Sequence, residues 1–292
     1  MRSLALVCLF GFLTWSSPSA LYGADSHQAD RQDHGVRINI AGRQRMLVQR
    51  MAKAACFVMA GIEPERHADM AWMAEHDFSE ALTALVEGDP DRHIAPAHEP
   101  DIAAQLAVVS AHYETYGPSI LQVVHGDRHS IILSQILELN IPTLVEMNAA
   151  VGLMQQSAGD TGADPAFSKT VNIAGRQRML SQLMSKSFCF VALGIDADRQ
   201  RVLLAKAKDE FHTVLAALET GDVAQNILPP PTFKTKQKLA RVRELWTQIL
   251  PALEAAISGG GVTDQHLARV AQLNDPLLKE MNAGVVSYLE AN

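Results

Sequence analysis

Residues 38–62 read INIAGRQRMLVQRMAKAACFVMAGI, and residues 171–195 read VNIAGRQRMLSQLMSKSFCFVALGI. The two stretches align without a gap at an offset of 133, and 17 of their 25 positions are identical. A later segment, LNIPTLVEMNA at 139–149, returns as LNDPLLKEMNA at 273–283. The chain therefore carries a tandem duplication of a unit about 120 residues long.

The repeated stretch has the apolar period of an α-helix. Ile40, Leu47, Met51, Ala54 and Val58 are spaced so that they share one stripe of a helix. No alternating run of strand length competes with this pattern. Further helices are predicted over residues 68–87, 101–124 and 129–156 in the first unit, and over 199–220, 235–257 and 263–290 in the second.

Gly88 and Gly221 follow the second helix of each unit and suit a left-handed position that ends a helix. Pro142 and Pro276 occur in the fourth helices, where a proline starts or kinks a helix. Four helices with short connections predict an up-down-up-down bundle. The predicted fold class is therefore all-α, with two tandem four-helix bundles related by the duplication.

The N-terminus has the features of a secretory leader. Arg2 precedes a twelve-residue apolar stretch from Leu4 to Trp15, and small residues follow. An uncleaved membrane anchor is the alternative, but a bilayer span needs about 20 apolar residues. An exported protein, periplasmic or secreted, is expected. The predicted divisions are a leader at 1–24, a first bundle at 25–156, a linker at 157–166 and a second bundle at 167–292.

Composition argues against several classes of function. The chain has 292 residues, with 25 Lys and Arg against 32 Asp and Glu, and lacks the basic surface that nucleic-acid binding requires. Its three cysteines form no C-x-x-C pair, and no phosphate-binding loop, dinucleotide fingerprint or nucleophile motif appears. His125 and His129 have a metal-compatible spacing, but the Gly-Asp between them favours a loop. No enzyme activity, cofactor or metal is predicted.

The repeated motif begins with NIAGRQRML, at 39–47 and 172–180. It resembles the first helix of the NarX-like sensor domain, which nitrate and nitrite sensor kinases share with type IV pilus chemotaxis transducers of the PilJ type. The LNxP and EMNA segments resemble the end of the same domain. The resemblance covers both units, hence most of the chain, and is most specific in the motif helix.

In the nitrate sensors of that family, an Arg before the Met of the motif binds the anion, and each subunit of a dimer contributes one copy. By position, the resemblance implies Arg45 and Arg178 as anion ligands here. The planar donor fork of a guanidinium also matches a planar oxyanion on chemical grounds alone. The candidate ligand-binding residues are Arg45, Arg178, Arg43, Arg176, Gly42 and Gly175.

A structural interpretation of the same motif stays open. Arg-Gln-Arg on a helix is commonly a solvated face, and Gly42 suits close helix packing. The motif helix would then be a packing or protein-docking surface without a small ligand. Against this, Arg45 and Lys53 recur in the second unit, although Arg50 becomes Leu183. Surface charge drifts easily between duplicated halves, so this recurrence favours a shared role.

The spacing of Arg45 and Cys56 allows a hypothesis about how the bundles meet. Eleven residues are about three helical turns, so the two side chains lie within about 20° of each other on the helix. We expect the two motif helices to pack in parallel, with the anion between Arg45 and Arg178 and with Cys56 facing Cys189. The cysteines then form a disulfide if their Cα atoms come within about 7 Å, and are otherwise two buried thiols.

Together these observations predict an exported sensor module that binds a small oxyanion, nitrate or nitrite first. Such a module signals through a partner, and a membrane receptor, a chemotaxis transducer or a sensor kinase is expected. The alternative function is a structural or protein-interaction module of the cell envelope with no small-molecule ligand.

Overall fold

The computed structural model describes residues 19–92, 94–157 and 165–291, and of residues 19–35, 165 and 168 it describes only the backbone. Within these ranges the chain forms eight α-helices. They are α1 (Ser19–Met59), α2 (Pro64–Glu87), α3 (Pro100–Val124), α4 (Ser130–Ser157), α5 (Pro165–Ala192), α6 (Ala197–Thr220), α7 (Phe233–Ile257) and α8 (Asp264–Leu289).

The helices form two tandem bundles, so the predicted all-α fold is confirmed. Helices α1 to α4 pack on one another as the first bundle, and α5 to α8 repeat the arrangement. The described residues contain no β-strand, only two isolated bridges in the loops after α2 and α6, Asp89–Ile94 and Asp222–Ile227. Both units thus have the same helix packing and the same isolated bridge after the second helix, as expected of a duplication.

Helix boundaries agree with the sequence predictions at most ends. Helix α2 begins at Pro64, four residues before the predicted start, because proline is readily accommodated in the first helical turn. Helix α3 likewise begins at Pro100. Helix α7 begins after Thr232, whose side chain accepts a hydrogen bond from the Thr235 amide at 3.1 Å.

Two predicted segments lie partly or wholly outside the described residues. Of the predicted leader, only residues 19–24 are described, and they belong to α1. Of the predicted linker, Ser157 ends α4 and residues 165–166 begin α5. In the described part of the chain, no helix combines the length and the apolarity that crossing a bilayer would require.

Gly88 and Gly221 end α2 and α6, but not in the left-handed helical conformation that the sequence suggested. Their φ values of 85° and 80° are positive as expected, while their ψ values are 163° and 158°. This region is open essentially to glycine alone. A Cβ on Gly88 would lie 2.8 Å from Cδ of Pro96, and one on Gly221 would lie 3.0 Å from Cδ of Pro229. The following loop therefore folds back closely over the helix end.

The two motif helices are buried on all sides rather than along one stripe. From Met46 to Val58 every α1 side chain is buried except the partly exposed Arg50, and in α5 the whole run from Met179 to Val191 is buried. Each helix is covered by its own bundle and also by the other bundle, since α1 packs against α5. A helix in this position needs no polar face.

Candidate functional site

Helices α1 and α5 lie side by side and parallel at the centre of the molecule. Near their C-terminal ends, Cys56 and Cys189 are joined by a disulfide with their Cα atoms 6.1 Å apart, and both residues are fully buried. On the N-terminal side of the disulfide, Nη2 of Arg45 lies 3.5 Å from Oδ1 of Asn172. The structure therefore brings together the two copies of the motif.

Arg45 and Arg178 occupy matching positions on the two sides of this contact. Nη1 of Arg45 donates to Oδ1 of Asn148 at 3.0 Å, and Nη1 of Arg178 donates to Oδ1 of Asn282 at 3.2 Å. Both asparagines belong to the repeated EMNA segment of the fourth helix. Each arginine is thus held by the last helix of its own bundle, with its guanidinium directed at the junction between the bundles.

The glycine of the motif orients the arginine that follows it. Nε of Arg45 lies 3.4 Å from the carbonyl oxygen of Gly42, and Nε of Arg178 lies 3.2 Å from that of Gly175. A Cβ at Gly175 would come within 3.2 Å of Nη2 of Arg178, and one at Gly42 within 3.5 Å of Nη2 of Arg45. The contact at Gly42 would be an ordinary van der Waals contact, and the one at Gly175 would involve only the far end of the side chain, so it is the glycine carbonyl that orients each arginine.

The other two arginines of the motif point to a different neighbour. Nη2 of Arg43 contacts Oδ2 of Asp77 at 2.6 Å, and Nη2 of Arg176 contacts Oε2 of Glu210 at 3.2 Å. Both side chains are about half exposed. Arg43 and Arg176 therefore pair with carboxylates on the second helix of their own bundles rather than completing the central pair.

Arg45 and Arg178 have neutral hydrogen-bond partners only. Among the described residues, no carboxylate lies within ion-pair distance of either guanidinium. The pKa of Arg178 is lowered to about 10 by burial first, and then by the positive charges of Arg45 and Arg43. Burial and the charge of Arg176 also lower the pKa of Arg45. Two like charges without a counter-ion make this junction electropositive.

Two buried lysines, which follow the arginines along α1 and α5, contact asparagines of the opposite bundle. Nζ of Lys53 in α1 donates to Oδ1 of Asn274 in α8 at 2.8 Å, and Nζ of Lys186 in α5 donates to Oδ1 of Asn140 in α4 at 2.7 Å. Oδ1 of Asp275 also lies 3.2 Å from Nζ of Lys53. These contacts link the first helix of each bundle to the last helix of the other bundle.

Sequence reasoning did not assign Asn148, Asn282, Asn140 and Asn274 to the junction. The available indication was that all four recur in both units, in the EMNA and LNxP segments. Asparagine is a common helix-end residue, so its recurrence inside a predicted helix pointed to a side-chain contact. The identity of the partner still depended on how the bundles pack.

The histidine pair considered as a metal site lies in the loop between α3 and α4. Nδ1 of His129 is 2.8 Å from Oδ1 of Asp127, and the side chain of His129 is largely exposed. In the part of the chain that is described, no group of three His, Cys, Asp or Glu residues is arranged to hold a metal ion. Cys8 lies outside the described residues.

Two segments of the chain match the family model described as type IV pili methyl-accepting chemotaxis transducer N-terminal domain. The matches cover residues 29–139 and 166–273. They fall on the two helical bundles, and each includes one complete copy of the arginine motif. No curated protein matches the chain as a relative.

Proposed function

Because the chain belongs to the family of type IV pilus methyl-accepting chemotaxis transducer N-terminal domains, we propose that it is a sensor module that binds a small oxyanion between Arg45 and Arg178. The first candidates for the ligand are nitrate and nitrite. The family identifies a helical sensor-type module with a signalling partner. The identity of the ligand and its place at the arginines are our proposal.

The observation that carries the proposal is the pair of arginines without carboxylates. Two partly buried guanidiniums repel each other, and an anion between them removes that repulsion while accepting several hydrogen bonds. Nη1 of each arginine is already oriented by an asparagine at 3.0 and 3.2 Å, so little side-chain entropy remains to be lost on binding. A planar oxyanion presents acceptors in the geometry of the guanidinium fork.

The duplication supports a stoichiometry of one anion per chain. Arg45 comes from the first unit and Arg178 from the second, and the positive charge of Arg45 lowers the pKa of Arg178. In our proposal each arginine supplies one half of a single site. One chain would then contain the whole arrangement that two subunits would otherwise supply. A shared site also couples ligand binding to the packing of α1 on α5. A change in that packing is a structural change that a partner protein can detect.

We propose that the protein is exported to the periplasm or secreted, and that it acts by presenting its free or liganded form to a membrane receptor, chemotaxis transducer or sensor kinase. It has no catalytic role in this scheme.

Thermal unfolding across anions tests the proposal. The wild type, Arg45→Ala and Arg178→Ala are melted in nitrate, nitrite, sulfate and phosphate, with chloride as the ionic-strength control. A ligand at 100 times its Kd adds about 2.7 kcal/mol, which raises Tm by several degrees for domains of this size. Arg241→Ala is the matched control, since that arginine is half exposed on α7 and pairs with Glu244.

We expect one oxyanion to raise Tm in the wild type and in Arg241→Ala, and neither central variant to respond. Calorimetric titration should then give one ion per chain. No response to any oxyanion, or equal responses in all four proteins, would contradict the proposal. The motif would in that case be a packing or docking surface.

A further inference from the structure

A groove of about 410 Å³ lies between α1, α2 and α8. Its floor is formed by the apolar side chains of Met46, Leu47 and Leu278, which are almost fully buried. Asn282 stands at its edge and accepts a hydrogen bond from Arg178. The groove thus has walls from both bundles, and its volume is within the range of small-molecule sites.

The α2 wall of the groove carries two large apolar side chains that face solvent. Trp72 is 48% exposed and the adjacent Met73 is 50% exposed. The indole of Trp72 is stacked on the ring of His76, with ring centroids 5.4 Å apart and the planes within 6°. One face of the indole is therefore covered by the imidazole, and the exposed remainder offers apolar area to a planar group.

The groove also has an excess of positive charge. Arg50 and Lys279 line it, together with Asp275. Asp275 is shared among three cations, with Arg50 at 3.0 Å, Lys53 at 3.2 Å and Arg66 at 2.9 Å. Arg66 also pairs with Glu63, and Arg43 of the groove pairs with Asp77. The lining therefore has three basic side chains against two carboxylates, and its α8 end favours an anionic group.

The second unit provides an internal comparison, and these groove features are missing from it. Trp72 corresponds to Ala205, Arg50 to Leu183 and Lys279 to Val145. In contrast, the central arginines and their asparagines are the same in both halves. The aromatic wall and the cationic end therefore occur together on one side of the molecule only.

We infer that this groove binds an organic carboxylate with a planar apolar body. The body lies against Trp72 and Met73 over the apolar floor, and the carboxylate lies toward Arg50 and Lys279. Both halves of the ligand are needed, because the wall alone offers no charge and the cations alone offer no apolar area. Neither Arg45 nor Arg178 lines this groove, although Asn282 at its edge contacts Arg178. The inference does not depend on the proposed oxyanion.

Calorimetric titration of the full chain with three probes tests this inference. Phenylacetate combines an apolar ring with a carboxylate, acetate carries the carboxylate alone, and phenethylamine carries the ring with the opposite charge. We expect phenylacetate to bind and the other two to bind at least about tenfold more weakly, which corresponds to about 1.4 kcal/mol. Acetate or phenethylamine binding as tightly as phenylacetate overturns the inference.

Substitutions of groove residues test whether phenylacetate binds in the groove. Trp72→Ala and Lys279→Val, the second copying the other unit, should each weaken phenylacetate binding by about tenfold. Phe233→Ala is the matched control, since it removes a 74% exposed aromatic side chain from α7. Unchanged Tm in the three variants shows that they fold. If Trp72→Ala binds phenylacetate as well as the wild type does, the inference is wrong.

A second readout separates this site from the arginine pair. Phenylacetate should shift the tryptophan emission of a Trp246→Phe background, in which Trp72 is the remaining tryptophan of the described residues, and the shift should vanish in Trp72→Phe. Nitrate-dependent stabilisation should be unchanged in Trp72→Ala. Loss of phenylacetate binding in Arg45→Ala but not in Trp72→Ala would place the organic acid at the arginine pair and overturn the groove site.

Discussion

Lys186 of the second bundle donates a hydrogen bond to the amide oxygen of Asn140 in the first bundle, at 2.7 Å. The duplicated counterpart runs in the opposite direction, from Lys53 to Asn274. All four residues are buried. Each half of the molecule therefore donates one lysine hydrogen bond to an asparagine of the other half. These two bonds join the halves in addition to the disulfide.

The symmetry ends at the residue that follows each asparagine. Asp275 follows Asn274 and contacts Lys53, whereas Ile141 follows Asn140. Burial would raise the pKa of Asp275, but Lys53, Arg50 and Arg66 together hold it below its ordinary value. Lys186 has no such carboxylate in contact within the described residues. The same structural link thus has a carboxylate on one side and none on the other. Burial nevertheless lowers the pKa of Lys53 to about 7, because Arg50 and Arg66 oppose the effect of Asp275.

We predict that Lys186→Met stabilises the protein at neutral pH and flattens its pH dependence. Burial lowers the pKa of Lys186 to about 7; nearby Arg199 lowers it as well, while Asp196 opposes the shift. From about pH 7 up to the ordinary lysine pKa, the unfolded chain binds more protons, so stability rises with pH in that window. The free-energy cost of burying the charged amine is fully present below pH 7 and amounts to a few kcal/mol.

Urea unfolding of the wild type and Lys186→Met from pH 6 to 9 measures this effect. Lys53→Met is the matched comparison, because it leaves Asp275 with one cation fewer and should gain less stability at pH 7. A Lys186→Met protein that is less stable than the wild type at pH 7, with an unchanged pH profile, would show that the buried amine is not a cost to the fold.

Ile141→Asp should supply the carboxylate that Lys186 lacks. By the repeat register it copies Asp275, which lies 3.2 Å from Nζ of Lys53. A carboxylate there raises the pKa of Lys186 and shifts the rise in stability to higher pH, while the lysine itself is retained. The measurement is the same urea series, with Leu144→Asp as the control for introducing an acid elsewhere on α4. A pH profile identical to that of the wild type would refute the prediction.

The disulfide between Cys56 and Cys189 should stabilise the protein by about 2–4 kcal/mol. It closes a separation of 133 residues and ties α1 to α5. Because both cysteines are fully buried, we expect reductant to open the bond only when the protein is also unfolded. Thermal melts with and without reductant should differ for the wild type and coincide for Cys56→Ala/Cys189→Ala. Two freely alkylatable thiols in the unreduced, denatured protein would contradict the assignment.

Gly88→Ala should destabilise the protein by roughly 1–3 kcal/mol or more, because alanine is strained at this φ and ψ and its Cβ would lie 2.8 Å from Pro96. Gly221→Ala should do the same in the second bundle. Gly152→Ala in α4 is the control, since nothing lies within 4 Å of its added Cβ, and there alanine should stabilise by about 0.5–1 kcal/mol. Equal Tm changes in the three variants would contradict this account.

Much of the fold was predictable because its determinants are local. The repeat at an offset of 133 defined two equivalent units, and helical periodicity located the helices within a few residues. The conformation of Gly88 was predicted only in part: a following glycine indicates a positive φ, but its ψ of 163° results from the loop packing back through Pro96. That contact depends on residues eight positions away.

The candidate site was predictable in its centre and not in its surroundings. The resemblance to the sensor family implied Arg45 and Arg178 as a pair, and the helical spacing from Arg45 to Cys56 predicted the packing of α1 on α5. The asparagines that hold the arginines come from the fourth helices, and their contacts depend on how each of those helices is rotated in its bundle. Sequence spacing inside one helix carries no information on that rotation.

The sequence by itself determined the duplication, the recurrence of the arginine motif in both units and the helices, since repeated residues and helical periodicity can be read along the chain. Only the tertiary structure decided which buried polar groups meet. Lys186 and Lys53 are equivalent in sequence, yet one faces an amide alone and the other an amide and a carboxylate. The cost of a buried charge depends on the atoms packed around it, and these come from the opposite bundle.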